Sequence, residues 1–196
     1  MVLASEELAL LNELAGAGYA LRSIWDWVNA PVYAPDALPI LIRHLERAQD
    51  ENLIEGIARA LSDRRYRKAE RALVRKFAEV ETSSVRWAIG NAITIVGFRN
   101  SAEQILAYCA NARFGPSREL LVGELYRIKR PEVEPLLLSL LDDPVLDYFA
   151  ASALGRCGGH RSLERLEAMD LAGRSPRTRK KVPKVIARLR SKLAAA

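Results

Sequence analysis

Val85-Arg-Trp-Ala-Ile-Gly-Asn-Ala-Ile-Thr94 decides the fold, because its ten positions recur three more times without a gap. The other copies are Leu53-Ile-Glu-Gly-Ile-Ala-Arg-Ala-Leu-Ser62, Arg118-Glu-Leu-Leu-Val-Gly-Glu-Leu-Tyr-Arg127 and Leu146-Asp-Tyr-Phe-Ala-Ala-Ser-Ala-Leu-Gly155. Successive starts lie 32, 33 and 28 residues apart. Position five is Ile57, Ile89, Val122 or Ala150, and position nine is Leu61, Ile93, Tyr126 or Leu154. This i, i+4 stripe marks one face of an α-helix. Position six is always tiny (Ala58, Gly90, Gly123, Ala151). Glycine inside a helix costs about 1 kcal/mol relative to alanine, so close approach of two backbones is the expected reason for it.

Upstream of each copy, a second amphipathic stretch predicts a partner helix. Residues 36–49 carry Leu38, Leu41, Ile42 and Leu45, and 67–80 carry Leu73, Phe77 and Val80. Residues 101–113 carry Ile105, Leu106 and Cys109, and 131–142 carry Val133, Leu136, Leu137, Leu140 and Leu141. All fall at helical spacing. Asp36 and Ser101 read as N-caps, and Pro131 suits a first turn, where its missing N–H costs nothing. Between the helices stand the turn-forming runs Asp50-Glu-Asn52, Glu81-Thr-Ser-Ser84, Gly115-Pro-Ser117 and Asp142-Asp-Pro144. No window alternates with period two, so an all-α chain without a sheet is expected. The repeating element is a helical hairpin of about 30 residues, occurring four to five times. Three segments follow: an N-terminal helix with an aromatic capping stretch (1–35), the repeat array (36–171) and a basic C-terminal capping helix (172–196). Within the first, 5–15 reads as a helix capped by Ser5, and 19–35 as irregular, with Trp25, Trp27 and Tyr33.

Val85-Arg-Trp-Ala-Ile-Gly-Asn-Ala-Ile and Ala150-Ala-Ser-Ala-Leu-Gly-Arg-Cys-Gly resemble the second helix of HEAT-like repeats, in particular the short variety named after phycobilisome lyases. Asp143-Pro144 fits that family's turn, and Val85-Arg86 fits the start of its second helix. The fourth copy has Asp147 where the pattern has arginine and the first has Ile54, so an unbroken arginine ladder is not expected. The resemblance covers roughly 36–171. It implies a right-handed α-solenoid whose second helices line a concave surface, and a binding scaffold rather than an enzyme.

The composition is that of a folded chain: 196 residues, 49% hydrophobic and 28% charged. The longest stretch without a charged residue is 88–98, too short for a membrane span of about 20 residues. The acidic start, Met1-Val-Leu-Ala-Ser-Glu-Glu, does not read as a secretory leader. Two cysteines form no disulfide framework, so the cytoplasm is the expected location. The net charge of +6 is uneven. Between Arg174 and Lys192 stand nine basic residues and no acid, which leaves −3 on the rest.

If positions one, five and nine pack inward, positions three, seven and eleven form the exposed stripe. Glu55, Arg59, Trp87, Asn91, Glu124, Tyr148 and Arg156 lie on it, and Arg127 stands beside it. Trp, Tyr and Arg dominate the energetics of protein recognition, so these eight residues are the candidate contacts for a protein partner. Trp87 and Tyr148 could equally lean sideways over neighbouring helices. In the tail, an apolar stripe of Val182, Val185, Ile186, Leu189 and Leu193 is opposed by Lys181, Lys184, Arg188 and Lys192, and the cations singled out are Lys180, Lys181, Lys184 and Arg188. They form a second candidate surface, for nucleic acid or an acidic partner, against the plainer reading of a solvated cap. Arg64-Arg65-Tyr66-Arg67-Lys68 reads as a solvated connection.

No cofactor or metal is expected. His44 and His160 lack partners at ligand spacing, Cys109 sits on an apolar face, and Cys157 has no evident base. One enzymatic alternative remains: HEAT-like alkylpurine DNA glycosylases use tryptophans and an aspartate in a basic cleft. Trp25-Asp26-Trp27 and Arg86-Trp87 supply those residue types without aligning to a family motif.

Overall fold

The computed structural model describes residues 5–195, and among them every regular element is helical, with no strand. The chain divides into two compact units, Met1–Ile105 and Leu106–Ala196. In the first, α1 (Ser5–Gly16), α2 (Ile24–Asn29), α3 (Leu38–Arg47), α4 (Glu51–Ala60), α5 (Glu70–Glu79) and α6 (Ser83–Val96) pair as successive hairpins. Helix α1 packs on α3 and α3 on α5, while α2 packs on α4 and α4 on α6, which makes two layers. The division falls within α7 (Ala102–Ala110). The second unit contains α8 (Glu119–Glu124), α9 (Val133–Ser139), α10 (Asp147–Cys157), α11 (His160–Glu167) and α12 (Pro176–Ala194). There α8, α10 and α12 form one layer, and α9 packs on α11 in the other.

The repeated stripe is the core. Ile57, Ile89, Val122 and Ala150 at position five are each 0% exposed, and Leu61, Ile93 and Leu154 at position nine are equally enclosed. Caps follow chemistry where the sequence supplies it. Asp50 accepts the Leu53 N–H at 2.8 Å at the start of α4. Ser175 accepts the Thr178 N–H at 3.2 Å ahead of Pro176, which opens α12.

Several boundaries differ from the sequence expectation. Asp36 does not cap α3, which begins at Leu38; its carboxylate accepts the Tyr19 hydroxyl at 2.7 Å instead. Ser5 is the first residue of α1, not its cap. The stretch 19–35 is not wholly irregular, for it holds α2, capped by the Ser23 hydroxyl on the Trp25 N–H. The third copy is not one continuous helix: α8 ends at Glu124, and Leu125–Arg127 tighten into a 3₁₀ turn. Position one of that copy is Arg118, almost fully buried, whose guanidinium donates to the Gly115 and Cys109 carbonyls and pairs with Asp143 at 3.1 Å.

In the first and fourth copies, a neighbouring helix's side chain presses on a glycine two positions before, or four after, the small residue at position six. A Cβ on Gly56 would come within 2.5 Å of Ile24 Cγ2, and one on Gly155 within 3.1 Å of a Val185 methyl. At Gly123 it would meet Phe149 only at ordinary contact, 3.4 Å. Gly56 thus seats α2 on α4, and Gly155 seats α12 on α10.

Carboxylates tie hairpin to hairpin. Glu6 accepts the Gln49 and Asp50 N–H groups at 3.0 and 3.1 Å, Glu51 accepts the Glu81 and Thr82 N–H groups at 3.0 Å, and Glu70 accepts the Asn100 N–H at 2.7 Å. In the second unit, Glu134 accepts the Gly159 N–H at 3.0 Å and the Ser162 hydroxyl. Every one aims at the N-terminal end of a helix, where backbone N–H groups lack intrahelical partners and the helix dipole favours an anion.

Two of these ties make stability acid-sensitive. The Thr82 hydroxyl and backbone N–H hold Glu51 below its ordinary value of 4.5. The Ser162 hydroxyl, then the Gly159 N–H, do the same for Glu134. A carboxylate with a depressed folded pKa stabilises fully above its unfolded value, and that stability drains as pH falls through the folded one. Burial raises the pKa of Glu119 and opposes the trend only in part. The thermal midpoint is expected to be flat above pH ~5.5 and to fall progressively below pH ~4.5. Glu134→Gln should lower the neutral-pH midpoint and flatten that acid slope, both read by calorimetry.

Candidate functional site

In the first unit, Glu55 and Arg59 stand on α4, and Trp87 and Asn91 on α6, the helix packed against α4. These four side chains remain outside the core while Leu53, Ile57, Val85 and Ile89 fill it. Glu55 accepts both Nε and Nη2 of Arg59, at 2.8 and 2.7 Å, one helical turn apart. The guanidinium is therefore pre-positioned before any guest arrives. Trp87 is 38% exposed, one of few large apolar side chains so open. Asn91 is half-buried. Arg86 turns away from this surface and donates to the Phe77 and Val80 carbonyls.

The second unit treats its four candidates differently. Glu124 ends α8 and pairs with Arg127 of the 3₁₀ turn at 3.4 Å. Arg156 on α10 donates to the Tyr126 hydroxyl at 2.8 Å, its guanidinium 4.4 Å from that ring's centroid. Tyr148 is half-buried rather than open: it meets Phe149 edge-on at 5.1 Å and lies beneath the Arg177 guanidinium at 4.5 Å. Lys181 Nζ stands 5.6 Å from the same ring. Tyr148 is thus the seat of α12. Position eleven of the third copy, Ile128, is buried, so the stripe is interrupted there.

Helix α12 divides only in part as its sequence periodicity predicts, for Ile186 and Leu193 of the expected apolar stripe are half-buried. Val182, Val185 and Leu189 are buried, whereas Lys180, Lys184 and Arg188 are exposed and have no carboxylate partner among the described residues. Lys181 belongs in part to the Tyr148 contact. The second unit holds 17 basic and 10 acidic residues, a net +7, against 13 and 14 in the first.

Sequence reasoning missed Tyr126 as a hydrogen-bond partner and Arg177 as a cover for Tyr148. It also missed a hollow of about 410 Å³ near the end of α10, where Lys129, Arg130 and Lys192 join Arg156 and Cys157. The packing of α9 and α12 on α10 assembles these groups, so no local pattern announces them.

The residue types singled out for catalysis occupy ordinary structural places. Trp27 is buried against Tyr19, with ring centroids 5.2 Å apart. The Arg22 backbone N–H and guanidinium bind Asp26 and hold its carboxyl below the usual range. Cys157 is half-buried, its Sγ donating to the Ala153 carbonyl, and burial raises its pKa. Burial drives Cys109 further the same way. His44 meets Glu13 at 3.2 Å. Among the described residues, no group of three or more His, Cys, Asp and Glu side chains is placed to hold a metal ion, and no helix is long and apolar enough to cross a membrane.

Comparison with protein-family models, curated proteins and solved structures finds no match to this chain.

Proposed function

We propose that this chain is a non-catalytic scaffold that binds another protein, built of HEAT-like hairpins as a right-handed α-solenoid and working in the cytoplasm. The observation that supports this reading is the sorting of side chains along the repeated second helices. Positions one and five are enclosed in every copy and position nine in all but the third, where Tyr126 is half-buried, while Glu55, Arg59, Trp87 and Asn91 stay partly open on two helices packed side by side. A packed helix pair that carries an aromatic anchor on one member and a pre-oriented guanidinium on the other loses little freedom on binding, and Trp and Arg are the residue types that carry interface energy. In the second unit, Arg156 stacked on Tyr126 offers a similarly fixed cation.

Trp87→Ala is expected to reduce retention of a captured partner at least about tenfold without changing the helical circular-dichroism signal. Retention unchanged in both Trp87→Ala and Arg59→Ala would overturn the assignment of this surface.

The unpaired Lys180, Lys184 and Arg188, together with the +7 of their unit, favour a second reading, nucleic-acid binding. Under it, duplex DNA is retained at about 50 mM salt and released by about 200 mM, because each neutralised phosphate frees counterions. Replacing the three cations by alanine should then abolish retention. Absence of retention at the lower salt would leave the protein-binding reading alone.

A further inference from the structure

The basic run between α4 and α5 does more than connect two hairpins. Beside it lies a hollow of about 620 Å³ in the first unit, within the ~300–1,000 Å³ usual for small-ligand sites. Its floor is aliphatic, made by Pro35, Leu38, Pro39 and Ile42, and Tyr33 supplies one wall. Tyr33 is 47% exposed, an uncommon solvation for an aromatic ring, and it is held rigidly. The Arg65 guanidinium lies 3.8 Å from its centroid, and the ring stacks on that of Tyr66 at 5.6 Å. Tyr66 is itself buried and pins the strand-like turn beneath. Its hydroxyl accepts the Ala34 N–H at 2.8 Å and donates to the Val32 carbonyl.

Charge at the rim is unbalanced. Arg43 is neutralised by Glu13, Arg65 by Asp63, and Glu46 by Arg75. Arg67 and Lys68 also line the hollow, and neither has a carboxylate partner among the described residues. An apolar floor with two uncompensated cations at one edge selects a ligand of matching polarity. An extended peptide is the poorer match, because the floor includes Pro35 and Pro39, which have no N–H to pair with its backbone. A free inorganic anion leaves the floor unused.

The geometry points to a binding site for an amphipathic organic anion, a medium-chain alkyl carboxylate whose tail lies along Leu38 and Ile42 and whose head group meets Arg67 and Lys68. This site is separate from the Trp87 surface and does not depend on it.

Titration of the ¹⁵N-labelled full chain with decanoate tests the assignment. Saturable shifts are expected, confined to residues 33–46 and 65–68, with a dissociation constant below about 1 mM. Arg67→Ala combined with Lys68→Ala should weaken decanoate at least tenfold. Both side chains are exposed and unpaired, so the fold should survive, and an otherwise unchanged spectrum would verify it. Decanol should also bind at least tenfold more weakly than decanoate. Shifts outside those segments, equal binding of decanol, or an unaffected double variant would overturn the proposal. Displacement of decanoate by a lower concentration of the peptide Glu-Leu-Glu-Ile-Glu would overturn it in favour of a protein ligand.

Discussion

Replacing Asp147 by alanine is expected to loosen α12 from the second unit. Asp147 is 1% exposed and accepts the Thr178 hydroxyl at 2.6 Å, while Arg174 Nη1 stands at 3.3 Å. Thr178 is fully buried, so deleting the carboxylate leaves its hydroxyl with Ser175 Oγ alone, at 3.0 Å, and the partly buried Arg174 guanidinium without its counter-ion. Removing one partner of such a buried charged set costs about 3 kcal/mol. If α12 then opens as a local element, its amide hydrogen-exchange protection should fall about a hundredfold, since every 1.4 kcal/mol is tenfold. Asp147→Asn keeps an acceptor for Thr178 and should lose markedly less. Unchanged protection along Pro176–Ala194 in the alanine variant would show that the helix is held by Val182, Val185 and Leu189 alone.

The second large effect is expected at Gly158, for a different reason. Its φ of −66° is open to any residue, so backbone conformation does not demand glycine there. Space does. A Cβ would fall 2.6 Å from Ser162 Cβ and Oγ and 2.7 Å from the Leu154 carbonyl oxygen. That oxygen already accepts the Gly158 N–H at 2.7 Å and cannot withdraw without opening the end of α10. Gly158→Ala should therefore cost about 3 kcal/mol, at the upper end for overpacking, and lower the thermal midpoint by about 8 °C for a chain of this length. Gly173→Ala is the control. Nothing lies within 4 Å of its Cβ position, so its effect should stay within about 0.5 kcal/mol.

The contrast between these glycines marks where sequence reading stops. Four small residues at position six, Ala58, Gly90, Gly123 and Ala151, suggest close packing at that position. Tight seats are found instead at Gly56, Gly155 and Gly158, which no recurrence singles out, because each is fitted to one particular neighbour, Ile24, Val185 or Ser162. Asp147 makes the same point. In the repeat pattern it is only a departure from arginine, yet it anchors the last helix through residues about 30 positions away. Its role depends on where α12 lands.

For the candidate surface, Glu55 and Arg59 were legible as members of the open stripe, and the bonds between them follow from their i, i+4 spacing on α4. Tyr148 was not. Its place in the stripe is right, but α12 returns over it and brings Arg177 and Lys181 to its ring. The basic run 64–68 likewise reads as a solvated loop until Tyr66 turns inward and leaves Arg67 and Lys68 beside an apolar floor.

What the sequence by itself determined is the helical class, the hairpin period and the identity of the buried stripe. Those rest on hydrophobic periodicity and turn chemistry, which act over a few residues and are written locally. Tertiary structure alone decided which cations stay unpaired, which aromatics are covered and where carboxylates meet helix N-termini. Each of those outcomes joins groups some 20 to 40 residues apart in sequence, and a charge or ring acquires its energetic meaning only from the partner and the solvent exclusion that packing supplies.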